Sequence, residues 1–232
     1  MKKKVLAVVT SQSTMKKDTD KTGLWFSELV HFYNVIKLAG FEIDIVSTKG
    51  GKVPIDPRSL LPVFMDGTTK EYRLDPYFTS KLDHTLSVDD VNDEYGCIFF
   101  AGGHGTLWDF PENQKIQQLT KDIYEDGGVV AAVCHGSAAL LNVNLSDGTH
   151  LLEGKPVTGY SNAEERLLLQ TGKIPFSLER ALKKTGASYK KASIPFTSFV
   201  QNQERVITGQ NPQSARAVGE KTLRHLQTHA SV

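Results

Sequence analysis

Short apolar runs rich in Val, Ile and Phe recur along the chain, at Val5 to Val9, Phe41 to Val46, Cys97 to Phe100 and Val129 to Val133. Their hydrophobicity is near-continuous rather than alternating, the pattern of strands covered on both faces. Amphipathic stretches of helical length lie between them. The clearest are Leu24 to Ala39, ended by Gly40, and Glu112 to Glu125, ended by Gly127 and Gly128. This alternation predicts an α/β fold, a mostly parallel sheet with helices on both faces. Further along, Asp147 to Ser161 reads as a turn with short strands, Ser177 to Thr185 as a helix ended by Gly186, and Val206 to Thr208 as a strand. Pro212 to Gln227 reads as a closing helix with proline near its start.

One segment breaks the rhythm. Gly50 to Asp93 carries Pro54, Pro57, Pro62 and Pro76 among several charges and reads as an insertion around the sheet, placed as a small lid or cap. No repeat, low-complexity tract or linker divides the chain, so residues 1–232 are read as one domain. Hydrophobic residues at 39% and charged residues at 23% match an ordinary globular protein and exclude a disordered or fibrous one.

Net charge is +1, with the basic residues scattered apart from Lys2 to Lys4, which is read as solubilising the amino terminus. Nucleic-acid binding needs a concentrated basic face, so it is not expected. No apolar run approaches the roughly 20 residues of a membrane span, and the run Val5 to Val9 is too short for a signal peptide. Two cysteines, Cys97 and Cys134, are too few for a disulfide scaffold and point to a reducing, cytoplasmic setting.

Chemistry concentrates at Gly128-Val-Val-Ala-Ala-Val133-Cys134-His135-Gly136-Ser137-Ala138. An apolar strand running into a polar residue and then small residues is the pattern of a nucleophile elbow, where a tight turn admits only small neighbours and lifts the side chain above the sheet. A helix opening there favours the thiolate through its dipole, so Cys134 is expected to be exposed and activated. Cys97, inside Gly-Cys-Ile-Phe-Phe with nothing polar beside it, reads as a core residue. Gly102-Gly103-His104-Gly105 follows another strand end; glycines there let backbone N–H groups approach a ligand, and with the His135 N–H they can form an oxyanion hole. The spacing lacks the signature of a phosphate loop. His104 is placed at the pocket mouth.

Glu28 shares a helical face with Trp25, Phe32 and Val35. Two readings stand side by side: a desolvated carboxyl held protonated to donate to or exchange a proton with the thiol, or a solvated glutamate near a helix start. His31, one turn on, makes an incidental Glu-x-x-His, and no metal or other cofactor is expected. His84, His150, His225 and His229 are read as surface residues.

The blocks Thr22-Gly23 with Glu28, Ala101-Gly-Gly-His-Gly-Thr-Leu-Trp-Asp-Phe-Pro111, Val133-Cys-His-Gly136, Gly154-Lys155-Pro-Val-Thr158-Gly159 with Glu164 and Glu165, and Val206-Ile-Thr-Gly-Gln-Asn-Pro212 together resemble the PfpI superfamily, the class I glutamine amidotransferase-like proteins. Within it they resemble the heat-shock chaperone and glyoxalase III branch. The resemblance implies a flavodoxin-like three-layer sandwich, a homodimer, and glutathione-independent conversion of methylglyoxal, a small dicarbonyl, to D-lactate, the D-lactate dehydratase (lyase) reaction. It implies a triad of Cys134, His135 and an acid, with Glu165 preferred over Glu164, and makes Glu28 the glutamate that contacts the thiol. Gly102, Gly103 and His104 would line the substrate. Deglycation or cysteine hydrolysis within the same superfamily is the first alternative, although the distant His-x-Glu of glutaminases has no counterpart after Cys134. A stress holdase binding unfolded proteins is the second, with Leu60 to Met65 as its candidate patch. Two departures stand out: Ser137 where many relatives have proline, and Ile194-Pro195-Phe196-Thr197-Ser198-Phe199 in place of Pro-Trp followed by acids, which bears on the pocket wall and hence on the substrate.

Overall fold

The computed structural model of the chain describes residues 4–17 and 19–229, the side chain of His229 excepted. Lys2, Lys3 and that side chain therefore lie outside the described residues. Lys4 is not merely solubilising: it pairs with Asp44 at 2.8 Å and with Asp93.

The strands are β1 (Lys4–Val9), β2 (Glu42–Ser47), β3 (Leu86–Ser87), β4 (Cys97–Phe100), β5 (Val129–Val133), β6 (Pro156–Val157), β7 (Ser188–Tyr189), β8 (Val200–Gln203) and β9 (Val206–Gly209). The helices are α1 (Phe26–Leu38), α2 (Gly67–Leu74), α3 (Pro76–Asp83), α4 (Thr106–Asp109), α5 (Gln114–Glu125), α6 (Asn162–Leu167), α7 (Leu178–Lys184) and α8 (Ala215–His229). A seven-stranded sheet runs β3-β2-β1-β4-β5-β9-β8. Every pairing in it is parallel except β8 with β9. The strand order reverses direction at β1: the connection to β2 goes to one side and the connection to β4 to the other. With right-handed crossovers this puts α1 and α5 on opposite faces, a flavodoxin-like arrangement.

The apolar runs became β1, β2, β4 and β5 because each is covered twice, and β1, β4 and β5 are buried almost throughout. Phe32 of α1 stacks on Phe99 of β4 with ring centroids 3.6 Å apart, and α1 packs beside α8 on that face. One continuous buried cluster reaches from Val5 to Leu226.

Segment 50–93 differs from its expected form. Tyr72 of α2 and Phe78 of α3 meet Tyr33 edge to face, and Phe78 also meets Phe26, both on α1. Its end returns to the sheet as β3, paired parallel with β2. Two proline-initiated short helices, at Pro57–Leu60 and Pro62–Phe64, carry the chain towards the strand ends. Strand β8 was not anticipated at all; its Val-Gln-Asn-Gln sequence lies at a solvated sheet edge, where no apolar run is needed.

The Phe32–Phe99 stack is a core contact and the neighbouring helix end is not. Phe32→Ala is expected to lower the unfolding free energy by about 3–5 kcal/mol, whereas Leu38→Ala, at a position 79% exposed, changes it by under about 0.5 kcal/mol; urea titration of both variants checks the contrast.

Candidate active site

Strand β5 ends at Val133, and the next residue, Cys134, has φ +56°, a left-handed conformation for a residue that is not glycine. The turn is held from several sides. Gly136 lies so close to the Phe100 carbonyl that a Cβ there would sit 2.3 Å from its oxygen. The Thr106 hydroxyl donates to the His135 carbonyl at 2.9 Å. The small-residue helix expected after the elbow is present at Cys134–Leu140 in the tighter 3₁₀ form.

The expectation of an exposed, activated thiol is corrected. Cys134 is 3% exposed, and burial, reinforced by the neighbouring Glu28 carboxyl, pushes its pKa well above the usual value, with the His135 backbone N–H opposing. The thiol nonetheless lines a cavity of about 200 Å³ together with Trp25, Gly103, His104, His135 and Tyr160. Cys97 is fully buried in β4, and burial alone pushes its thiol up.

Glu28 takes the first of its two readings. It is fully buried on α1, and burial raises its carboxyl to about 8, partly offset by the Cys134 thiol and by the Gly102 N–H. That N–H donates to Oε2 at 2.7 Å, so Gly102 is spent on Glu28 and is not free for an oxyanion. Gly103 and His135 line the cavity. Gly103 has φ +112°, and a Cβ there would fall 2.0 Å from the Gly23 oxygen; Gly23 is required in turn by its own positive φ and by the Pro54 carbonyl, 2.1 Å from where its Cβ would sit. His31 turns away from Glu28 to pair with Asp66 at 2.9 Å.

The two adjacent glutamates separate cleanly. Glu164 is the N3 residue of a capping box at α6: its Oε2 accepts from the Ser161 N–H and hydroxyl, and its Oε1 from the Phe196 N–H and Asn211 Nδ2. Glu165, one residue on, faces the opposite way. Its Oε2 lies 2.9 Å from His135 Nε2, and His135 Nδ1 lies 3.4 Å from Cys134 Sγ.

Its Oε1 lies 2.8 Å from His104 Nε2, a partnership that sequence spacing did not reveal. His104 is buried, not at the mouth, and its ring centroid is 4.2 Å from that of His135. Beyond it, Arg58 Nη2 lies 3.2 Å from His104 Nδ1 and is itself gripped by buried Asp56. A guanidinium only donates, so His104 Nδ1 accepts and its Nε2–H donates to Glu165. Two donated hydrogen bonds and the electrostatics of both rings hold Glu165 far below the usual carboxylate range against the opposing effect of burial. Burial, then the neighbouring His135 and, against the pull of Glu165, the Arg58 charge push His104 down to about 4. The ligand atoms of His104, His135 and Glu165 lie within 4.8 Å of one another, but each Nε2 faces its own Glu165 oxygen at hydrogen-bond distance, an arrangement of two donors around one carboxylate. Of the remaining histidines, His84 is exposed and His225 half-buried. His150 is structural as well as half-buried, donating to the Leu141 carbonyl and accepting from the Leu152 N–H.

A strained cysteine between a protonated glutamic acid and a His–Glu pair, at the C-terminal ends of β4 and β5 beside the reversal of strand order, defines a cysteine-centred α/β site. The chain belongs to the DJ-1/PfpI family, whose model matches residues 22–225. Glyoxalase 3 of Candida albicans is 32% identical over 96% of this chain and 98% of its own length. The glutathione-independent glyoxalase HSP31 of Saccharomyces cerevisiae is 34% identical over 96% and 97%. Among solved structures, Rapid Encystment Protein 24 KDa of Francisella tularensis superposes with a TM-score of 0.92 at 44% identity, covering 97% of this chain and 99% of that one. Candida albicans glyoxalase III superposes with a TM-score of 0.87 at 31% identity, covering 96% of both.

Two titrations test these contacts. Unfolded, Glu28 ionises near its ordinary value of 4.5; folded, near 8. Its neutral form is thus favoured by the fold, and the stability it allows is complete below pH 4.5 and lost as pH rises towards 8. Glu28→Gln removes this loss, so its unfolding free energy relative to wild type is expected to rise by about 2–4 kcal/mol between pH 5 and pH 8; a flat difference would contradict the buried-acid assignment. For His104, imidazole NMR is expected to show an Nε2–H tautomer that stays neutral to below pH 5, and Arg58→Met is expected to move its titration up by freeing Nδ1. A wild-type midpoint near 6.5 would sink the tautomer argument.

Proposed function

We propose that this chain is a glutathione-independent glyoxalase, converting methylglyoxal to lactate with Cys134 as nucleophile, Glu28 and His135 as proton carriers and Glu165 as the orienting acid. The observation that carries the reading is the juxtaposition of one strained thiol with two proton carriers of opposite character, an acid kept neutral by burial and an imidazole backed by an ionised carboxylate. The names of the relatives support it.

The steps use only these groups and one water. As Cys134 Sγ bonds to the aldehyde carbon C1, its proton passes to His135 Nδ1, because Nε2 is already committed to Glu165. The developing oxyanion accepts from the Gly103 and His135 N–H groups and takes the Glu28 proton, giving a hemithioacetal. Glu28, now a carboxylate, removes the C1 hydrogen while His135 protonates the C2 oxygen, giving an enediol. Glu28 returns that hydrogen to C2 as the C1 hydroxyl proton goes to His135, giving a lactoyl thioester. Water then adds its hydroxyl to C1 and its proton to Glu28; the C–S bond breaks, His135 reprotonates the sulfur, and lactic acid leaves. The sum is addition of one water with no external oxidant or reductant.

The chain 1–232 works in this reading as a single unit, with segment 50–93 capping the cavity through Phe64. Free thiols at Cys97 and Cys134 suit a reducing, cytoplasmic compartment, and no helix among the described residues is long and apolar enough to cross a membrane. A second role, holding unfolded chains, draws on Leu61, Val63 and Phe64 of the cap, all exposed.

Lactate release from methylglyoxal without glutathione is expected to fall at least about 10³-fold in Cys134→Ser and about 10²- to 10⁴-fold in Glu28→Gln and Glu165→Gln. Cys134→Ser working at the wild-type rate would overturn the mechanism; aggregation suppression surviving that substitution would assign any holdase role to the cap and not to the thiol.

A further inference from the structure

The cavity is much larger than methylglyoxal requires. At about 200 Å³ it exceeds the roughly 150 Å³ of an engineered apolar cavity that takes up benzene, while the reacting part of a 2-oxoaldehyde spans only two carbons and two oxygens. The extra space is bounded by Trp25, Phe64, Tyr160, Leu168 and Phe196. None of the described lining residues is Asp, Glu, Lys or Arg. A methyl group would leave most of that wall against water, forgoing the gain from apolar burial.

The wall is also built, not incidental. Phe196 has φ +61°, a conformation that costs a bulky residue of order 1–3 kcal/mol and persists only where its surroundings impose it. Those surroundings are on hand: the Phe196 N–H donates to the buried Glu164 carboxylate at 2.9 Å, and Asn211 Nδ2 bridges Glu164 Oε1 and the Thr197 carbonyl at 2.8 and 2.7 Å. Opposite, Phe64 meets Trp25 edge to face at 5.2 Å. Phe64 and Leu168 are each 37% exposed, so the apolar lining continues to the mouth.

We propose that the site is built for 2-oxoaldehydes whose C2 carries an apolar aryl or medium-length alkyl group, held between Phe196, Leu168, Phe64 and Trp25. The proposal rests on the glyoxalase reading and narrows its substrate class. It disfavours glycated amino acids, because no charged side chain lines the cavity to meet their ammonium and carboxylate groups. The chemistry is unchanged: R–CO–CHO and water give R–CHOH–COOH.

The test is kcat/KM of the full chain for methylglyoxal, 2-oxoheptanal and phenylglyoxal, followed as release of the 2-hydroxy acid. Burying a methylene is worth about fourfold, so both larger substrates are expected to exceed methylglyoxal by at least about tenfold. Phe196→Gly keeps the positive φ without strain while removing the ring, and Leu168→Ala trims the partly exposed wall; either is expected to lower the 2-oxoheptanal to methylglyoxal ratio at least about fivefold. Equal values for the three substrates, a preference for methylglyoxal, or a ratio that neither variant moves would overturn this inference and leave the glyoxalase reading standing. Absence of 2-hydroxy acid from all three would overturn both.

Discussion

Cys134 occupies a backbone conformation that only its neighbours make tenable. The preceding residue belongs to a central parallel strand and the subsequent turn must clear the end of β4, so the chain reverses within a single residue, with Gly136 against the Phe100 carbonyl. Release of that strain would cost the packing of β4 against β5 and the hydrogen bond that Thr106 of α4 makes to His135. The same constraint orders the rest of the site. Because the elbow projects Sγ from the end of β5, the loop after β4 must present glycines to it, and α1 must enter close enough for Glu28 to reach both the Gly102 N–H and the thiol.

Burial then decides which carboxyl does what. Three glutamates lie within the same few layers and have different fates because they have different partners. Glu28 has one N–H donor and a thiol, too little to offset its desolvation, and stays neutral near pH 7. Glu165 has two imidazole donors and stays ionised. Glu164, fed by the Ser161 and Phe196 backbone and two side-chain donors, fixes the helix start and the Phe196 loop. Acid, anion and scaffold thus arise from one side-chain type through the number of donors each meets, and Arg58 extends the pattern outward by fixing the tautomer of His104.

The central architecture was legible because β1, β2, β4 and β5 are covered on both faces and so carry uninterrupted apolar runs. The elbow was legible because a turn at Cys134 tolerates only small residues after it. Other features were not. Strand β8 pairs at a solvated edge, where backbone hydrogen bonds suffice and the side chains are free to be polar. The return of segment 50–93 to the sheet depends on two residues, Leu86–Ser87, too few to make a periodic signal. His104 became a partner of Glu165 through a contact 61 residues apart in sequence; the glycines around it masked it, although a histidine in a glycine loop at a strand end is itself a polar residue placed where the fold gathers its ligands. Exposure of the thiol was misjudged for a related reason: the elbow rule describes the backbone, while burial is set by Tyr160, Trp25 and the capping segment, which arrive from elsewhere in the chain.

The low dielectric that keeps Glu28 protonated also shapes what the site can accept. A charged substituent brought into the cavity would lose its hydration without finding an ion of opposite sign among the lining residues, a penalty of several kcal/mol, and a carboxylate would add its repulsion to the ionised Glu165. An apolar substituent meets no such penalty and displaces water from aromatic walls. Selectivity for an apolar tail and the neutral state of Glu28 both follow from apolar surroundings, the first from walls of Trp25, Phe64, Tyr160 and Phe196 and the second from the complete burial of the carboxyl beside the thiol. The strained backbone of Phe196, held through its N–H by the Glu164 carboxylate, is what sets one ring of that wall.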